Sequence, residues 1–323
     1  MKKEVQGKKV VVIGGGTGLS TMLKGIKKYT SDITAVVTVA DNGGSSGKIR
    51  EELGIMPPGD IRNCLVALAN TEPIMEQLLQ YRFKEGSLDG QNFGNLLIAT
   101  LAEITGSFEE AVHVTSKVLA ITGKVLPVTL EDVHLQAQFE DGITVMGETE
   151  IVEYGKQKGS NICCIELNPK EPSPTKEVIQ ALQEAEIIIL GPGSLYTSII
   201  PNLLVKDISK HIEASQAKKV YIANIMTQPG ETSRISLEGH IEILEHYLGK
   251  NILDAVIVNN EKVTKEQMKE YEEEGAMLLG IDECHDIWKR IKRIEVPLIK
   301  IHKDKKFIRH DPEKLARCIF QIK

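Results

Sequence analysis

The chain has 323 residues, 41% of them hydrophobic and 26% charged, with a formal net charge of −6. This length suits either one large α/β domain or two lobes, and the composition is that of an ordinary soluble globular protein. No long basic block occurs, and the densest cationic cluster is only Lys303, Lys305 and Lys306, so nucleic acid is not an expected partner.

Met1-Lys2-Lys3-Glu4 leads straight toward the apolar run Val10-Val11-Val12-Ile13. The run is too short for a signal-peptide core or a membrane span, and the expected location is the cytoplasm. Gly14-Gly15-Gly16-Thr17-Gly18 follows at once, and Leu19, Met22, Leu23 and Ile26 then recur at i, i+3, i+4 and i+7 as one helical stripe. A buried strand entering a glycine turn that opens a helix leaves backbone N–H groups unpaired at the positive end of the helix dipole. Such a turn suits a phosphate. The dinucleotide pattern GxGxxG would need a glycine where Leu19 stands, and a P-loop occurs nowhere. Phosphate charge would fall to backbone amides with Thr17, Ser20 or Thr21.

Ile33 to Val39 reads as the second strand, ending in the polar loop Asp41-Asn42-Gly43-Gly44-Ser45-Ser46-Gly47. Asp41 stands where a Rossmann domain receives ribose hydroxyls; a carboxylate there also suits Mg²⁺, or simply caps a turn. Pro57-Pro58-Gly59-Asp60 stops the chain again. Asp60 is placed to cap a helix carrying Ile61, Leu65 and Leu68, Arg62 offers a two-pronged contact to phosphate or carboxylate, and Asp60, Arg62 and Asn63 are candidate ligand residues. Phe93, Leu96, Leu97, Thr100, Leu101 and Ile104 form another helical stripe, opened by Asn92, Gly94 and Asn95. Asn92 and Asn95 lie one turn apart, so their amides share a face and suit a base or sugar hydroxyls.

Val133, Leu135, Ala137 and Phe139 alternate, Asp141-Gly142 intervenes, and Ile143 and Val145 alternate again, which is a hairpin signal. Residues from about 125 to 168 therefore read as a β-rich insertion packed on the main sheet near the site. Ile187-Ile188-Ile189-Leu190 then runs into a second glycine turn, Gly191-Pro192-Gly193-Ser194-Leu195-Tyr196-Thr197-Ser198. Strands are expected near 219–224 and 253–258, the first ending in a polar loop from Asn224 through Thr227 to Thr232. Leu237, Ile241, Leu244 and Leu248 mark a helix, Glu266 to Glu274 a solvated face, and a short strand after Pro297 precedes a last helix with Leu315, Ile319 and Phe320.

Taken together, residues 1–323 read as a single α/β domain, Rossmann-like, with a doubly wound and mostly parallel sheet. Two glycine turns, one in each half, suggest a nucleotide-type ligand lying across the carboxyl edge of that sheet. Cys64, Cys163, Cys164, Cys284 and Cys318 lack CxxC spacing and read as reduced core thiols, with the adjacent pair on opposite faces of a strand. His113 reads as a surface residue, and Asp282-Glu283-Cys284-His285-Asp286 as a solvated loop, because no second ligand cluster matches it. No Ser-His-Asp or Cys-His arrangement is visible.

The motifs GGGTGLS (14–20), DNGGSSG (41–47), PPGDIRN (57–63), NFGN (92–95), GPGSLYTSIIPNLLV (191–205) and NIMTQPGET (224–232), in this order, resemble the gluconeogenesis factor family. That family is related to the 2-phospho-L-lactate transferases of deazaflavin cofactor biosynthesis. The resemblance implies a Rossmann-like core that binds UDP-sugars, and a cytosolic role in bacterial cell shape and wall synthesis during growth on gluconeogenic carbon sources. It implies no agreed catalytic activity and no obligatory cofactor. In the related transferases the aspartate at the position of Asp41 serves the deazaflavin and metal site.

Two functions are carried forward. One is a UDP-sugar-binding regulator with protein partners in wall synthesis, acting as a homo-oligomer. The other is a Mg²⁺-dependent transferase of a phosphoryl-linked group, with Asp41 holding the metal or orienting the attacking hydroxyl. An NAD-dependent oxidoreductase is weaker, although NAD could occupy the cleft as a surrogate ligand.

Overall fold

The computed structural model describes residues 7–302 and 305–322. The opening residues 1–6 and Lys303 of the cationic cluster lie outside the described residues. The first apolar run forms β1 (Val10–Gly14), every residue of it buried, and the stripe after it forms α1 (Gly16–Ile26). In chain order there follow β2 (Ile33–Val37), α2 (Gly44–Leu53), α3 (Gly59–Leu68), α4 (Pro73–Gln80), α5 (Phe93–Thr105), α6 (Phe108–Val118) and β3 (Lys124–Pro127). The insertion carries β4 (His134–Phe139), β5 (Thr144–Met146), α7 (Glu148–Lys158) and β6 (Ile162–Asn168). Next come α8 (Lys176–Glu184), β7 (Ile187–Leu190), a π-helical turn (Leu195–Ile199), α9 (Ile200–Leu203), α10 (Ile208–Ala214) and β8 (Lys218–Ile222). The last part holds α11 (Leu237–Leu248), β9 (Ala255–Asn259), α12 (Lys265–Glu273), β10 (Lys292–Val296), β11 (Ile299–His302), β12 (Lys305–His310) and α13 (Pro312–Phe320).

Seven strands form one sheet in the order β10-β9-β8-β7-β1-β2-β3, all neighbours parallel. The fold is thus the expected Rossmann-like, doubly wound α/β arrangement. The chain winds outward from β1 to β3, returns to the other side of β1 as β7, and continues to β10. β1 and β7 therefore flank the point where the winding reverses, the place where open α/β sheets bind ligands beyond their strand ends. These same two strands carry the glycine turns. Val10 pairs with Ile187 and Ile13 with Leu190, so both turns leave the sheet at one height.

A buried amide ties the two halves there. The Asn202 side chain, fully enclosed, donates to the carbonyls of Gly14 (3.3 Å), Ser198 (2.8 Å) and Ile199 (3.4 Å). Asn202→Asp sets a carboxylate against those three carbonyl oxygens. The expected cost is about 3 kcal/mol or more, read as a lowered midpoint in urea with an unchanged slope.

The small antiparallel sheet β5-β4-β6 and α7 make up the insertion. Val133, Leu135, Ala137 and Phe139 are all buried, as their alternation requires, and Asp141-Gly142 turns β4 into β5. Lys124–Pro127 is instead the edge of the main sheet, paired with β2. The buried Arg50 of α2 ion-pairs with Asp132 and donates to the Val133 carbonyl at 2.7 Å, holding the insertion against the sheet's helices.

Three other expectations shift. On α5 the buried side is Gly94, Asn95, Ile98, Ala99 and Ala102, while Ile104 is 74% exposed. Close packing decides this: a Cβ at Gly94 would lie 2.4 Å from the Leu79 carbonyl. Of the five thiols only Cys64 and Cys318 are buried, and Cys163 and Cys284 are exposed. A register shift after Gln138 places Cys163 beside the irregularity, so the strict alternation of the pair fails. Among the described residues no helix is long and apolar enough to cross a membrane.

Candidate functional site

The two glycine turns touch. A Cβ at Gly18 would stand 2.5 Å from the carbonyl oxygen of Pro192 and 3.4 Å from the Gly193 nitrogen. The glycine that falls outside the dinucleotide pattern is thus required for the second turn to close on the first. Asn224 donates to the Gly193 carbonyl at 2.8 Å, and Gln228 donates to Ser194 Oγ at 2.5 Å, so the polar loop after β8 braces the second turn.

The segments 41–46 and 57–63 arrive beside the same point. A Cβ at Gly59 would lie 2.3 Å from Ser46 Oγ and 3.2 Å from Asp41 Oδ2. Asp60 does not cap its own helix, since no side chain caps α3. It turns instead to the first glycine turn, accepting the Gly16 N–H, with Oδ2 2.5 Å from where a Gly15 Cβ would stand.

Four carboxyl groups crowd this region. Burial and then the neighbouring Asp41 push the Asp60 carboxyl up to about 7, against the pull of the Gly16 N–H and Arg62. Asp60 keeps a sliver of solvent contact but is enclosed by protein on nearly every side. Glu148, at the start of α7, hydrogen-bonds Asp41 and is held well above the usual carboxylate range by burial, Asp41, Asp60 and Glu231. Burial also pushes Glu231 up to about 7, although Ser194, Thr197 and Tyr196 donate to it. These shifts reflect negative charge gathered in a poorly solvated place without enough compensating cation.

A cavity of about 450 Å³ opens over the turns. Gly15 to Gly18, Gly193, Ser194, Asn224 and Thr227 line it, as the sequence leads one to expect, together with Thr21 and Ser198. Sequence reasoning missed other walls: Val152 and Lys156 of α7, Glu231, Tyr271, Arg309 and His310. They come from distant segments with no motif of their own. Only Glu231 carried a signal, as the acid within the 224–232 loop.

Several expected ligand residues lie outside the walls of this cavity and make contacts within the protein. Asn92 Oδ1 caps α5 by accepting the Asn95 N–H at 3.0 Å, and Asn95 Nδ2 donates to Ser45 Oγ at 3.2 Å. Ser45 Oγ in turn donates to Gln91 at 2.8 Å, so Asn92, Asn95 and Ser45 lock the loop of residues 41–47 to α5. Residues 44–47 of that loop are already the first turn of α2. Asn42 is held by the insertion, donating to Glu150 at 2.7 Å and accepting from the Thr149 N–H at 3.0 Å. Within the turn Asp41 Oδ1 accepts the Gly43 N–H at 2.8 Å, and Gly44 takes up a left-handed φ of 48°. Arg62 donates to Asn63 at 2.7 Å, and burial with Arg82 nearby lowers its guanidinium to about 10. Tyr196 is buried, with its hydroxyl on the Ile162 carbonyl at 3.3 Å, and Thr197 donates to Glu231 at 3.4 Å. Gly191 is buried behind Ile199 and the Ile222 carbonyl. The 282–286 segment is tied up locally, with Asp282 accepting the Cys284 N–H, Asp286 paired with Lys289 and Glu283 with Arg293.

A parallel sheet whose switch point holds two abutting glycine turns beside clustered carboxylates defines a Rossmann-like α/β protein. The chain belongs to the CofD family, described as 2-phospho-L-lactate transferase CofD, which matches residues 10–300. A protein of Thermoanaerobacterium thermosulfurigenes is 53% identical over 318 residues, 98% of each chain. The gluconeogenesis factor of Bacillus subtilis is 44% identical over 321 residues, 97% of this chain and 98% of its own. A crystal structure of a Bacillus halodurans protein superposes with a TM-score of 0.93 at 42% identity, covering 98% of this chain and all of that one.

Proposed function

We propose that the chain binds an activated nucleotide diphosphate across the two glycine turns and, with Mg²⁺, transfers the distal phosphoryl with its attached group to a hydroxyl acceptor, the bridging P–O bond breaking to release the nucleoside monophosphate. The observation that carries this reading is the contact of both turns beside Asp41, Asp60 and Glu148. The donor set fits Mg²⁺: the crowded groups are carboxylates, and Asp60 and Glu148 are displaced upward by burial first and then by their acidic neighbours. Among the described residues no group of three or more His, Cys, Asp or Glu side chains forms a ready-made metal cage. That suits an ion bound by one or two carboxylates and completed by ligand phosphates.

Asp41 and Asp60 would hold the ion, which when bound neutralises charge on phosphate oxygens. Amides of residues 17–18 and 193–194 would face the phosphates and stabilise charge that develops there, the Gly16 N–H being held by Asp60. Glu148, hydrogen-bonded to Asp41 and held well above the usual carboxylate range by burial and its acidic neighbours, would give up its proton once the ion supplies positive charge, and its carboxylate then takes the acceptor's hydroxyl proton.

Membership in the CofD family supports this reading. Asp41→Asn is expected to lose about 100-fold or more in turnover while nucleotide affinity, measured without divalent cation, stays within about threefold. Product formation across nucleotide donors and hydroxyl acceptors with Mg²⁺ is the assay. No product with any donor counts against a transferase.

The name gluconeogenesis factor carried by relatives favours a second reading, a UDP-sugar-binding regulator of cell shape and wall synthesis during gluconeogenic growth. Cytosolic action as a homo-oligomer with wall-synthesis partners belongs to it. Heat on titrating UDP-N-acetylglucosamine or UDP-glucose, but not NAD, with no turnover, selects this reading.

A further inference from the structure

Two neighbouring helices turn an apolar stripe toward water. Ile74, Leu78 and Tyr81 recur at i, i+4 and i+7 along α4, the spacing by which a helix buries one face. In the structure these residues are 69%, 40% and 49% exposed, and within α4 only Leu79 is buried. The chain then reverses: the Phe93 N–H donates to the Tyr81 carbonyl at 2.9 Å, and Arg82 and Asn92 form an antiparallel bridge. Helix α5 therefore runs back beside α4, and the close approach of Gly94 to the Leu79 carbonyl marks the side on which they touch. Leu97 and Leu101 follow Gly94 at i+3 and i+7 on that side, half-buried, and the exposed Ile104 continues the line.

The two stripes make one patch. Ile74, Leu78, Tyr81 and Ile104 alone present on the order of 500 Å² to water, at the upper end of what a monomer shows in one place. Set against its own copy, such a patch buries about 1,000 Å² before any rim is counted, the area at which a specific interface begins. An antiparallel helix pair needs a further layer over its outer face, and the same pair from another copy supplies it as a four-helix packing. The start of α4 and the end of α5 share one end of the patch and carry Glu72, Glu76 and Glu103. A two-fold axis across the helices keeps those acidic ends of the two copies apart. Each then lies over the loop of residues 82–89 of the other copy, where Arg82 and Lys84 stand with Glu85 and Asp89.

We propose that α4 and α5 form the face on which two copies of this chain pair. The pairing stands apart from both ligand readings above and gives the homo-oligomer a defined surface. It also bears on the carboxylate cluster, because Asn95 in the first turn of α5 holds Ser45, on the loop that carries Asp41.

The test is sedimentation equilibrium on the full chain without ligand. Wild type is a dimer at micromolar concentration. Ile74→Lys and Ile104→Lys change side chains that a single copy already exposes, so the far-ultraviolet circular dichroism spectrum stays that of wild type. Each variant weakens dimerisation about 30-fold or more. Ile143→Lys, at an exposed position on the insertion, leaves the dimer unchanged. Wild type sedimenting as a monomer throughout leaves this face to some other protein and overturns the proposal. A dimer that ignores both the α4 and the α5 variant, or that Ile143→Lys disrupts equally, overturns it as well.

Discussion

Gly18→Val weakens nucleotide-diphosphate binding about 100-fold, or about 2.7 kcal/mol. The reason is local. The first atom of any side chain at this position meets the Pro192 carbonyl oxygen at 2.5 Å, and that oxygen belongs to backbone, which cannot swing aside. The turns must part, and the amides that converge on one phosphate group no longer do so. Gly280→Ala is the control, since nothing lies within 4 Å of a Cβ there and its backbone is not in the left-handed region. Calorimetric titration of UDP into both variants, with thermal melts to show that each is folded, checks the result. Equal affinity in Gly18→Val and wild type would mean that the ligand does not use the paired turns.

The second large effect is on stability against pH. Asp60 and Glu231 both have folded values of about 7, raised from 3.8 and 4.5 by burial first of all. The folded chain therefore binds more protons than the unfolded chain between those limits. The associated stabilisation is fully present below about pH 4 and is lost as pH rises through about 7. Measured without divalent cation from pH 5 to pH 8, the unfolding free energy should fall by on the order of 2–4 kcal/mol. Asp60→Asn keeps an acceptor for the Gly16 N–H but has no charge to bury. Its stability should decline less steeply and exceed that of wild type at pH 8. Added Mg²⁺ should raise wild type at pH 8 and leave Asp60→Asn nearly unmoved. Parallel slopes in the two proteins would show that Asp60 ionises normally in the fold.

The contrast between Asp60 and Asn95 shows what a linear motif can convey. Both sit at helix starts in polar, glycine-containing segments, and from sequence both look like ligand residues. In the structure Asp60 faces the first glycine turn, whereas Asn95 is buried against Ser45 and holds a loop. Residue type and spacing are the same kind of signal in each. What differs is the neighbour across the fold, separated by tens of residues in the chain.

The sequence by itself determined the strand-turn-helix units, because burying a strand demands an apolar run and burying a helix demands a 3.6-residue stripe. The runs at β1, β2, β7, β8 and β9 and the stripes of α1 and α11 are legible for that reason. So are both glycine turns and the Asp-Gly hairpin. Elements stabilised mainly by what they lean on are not legible. Edge strand β10, with Lys292, Arg293 and Glu295, is recruited by β9, and α7 buries only Ile151 and Gly155. Only the tertiary structure decided that β7 returns beside β1. That adjacency brings the two turns into contact, while the packing of the insertion sets Glu148 beside Asp41 and Lys156 in the cavity wall. Strand order is a sum of long-range packing and loop-closure terms, and no local pattern of residues encodes it.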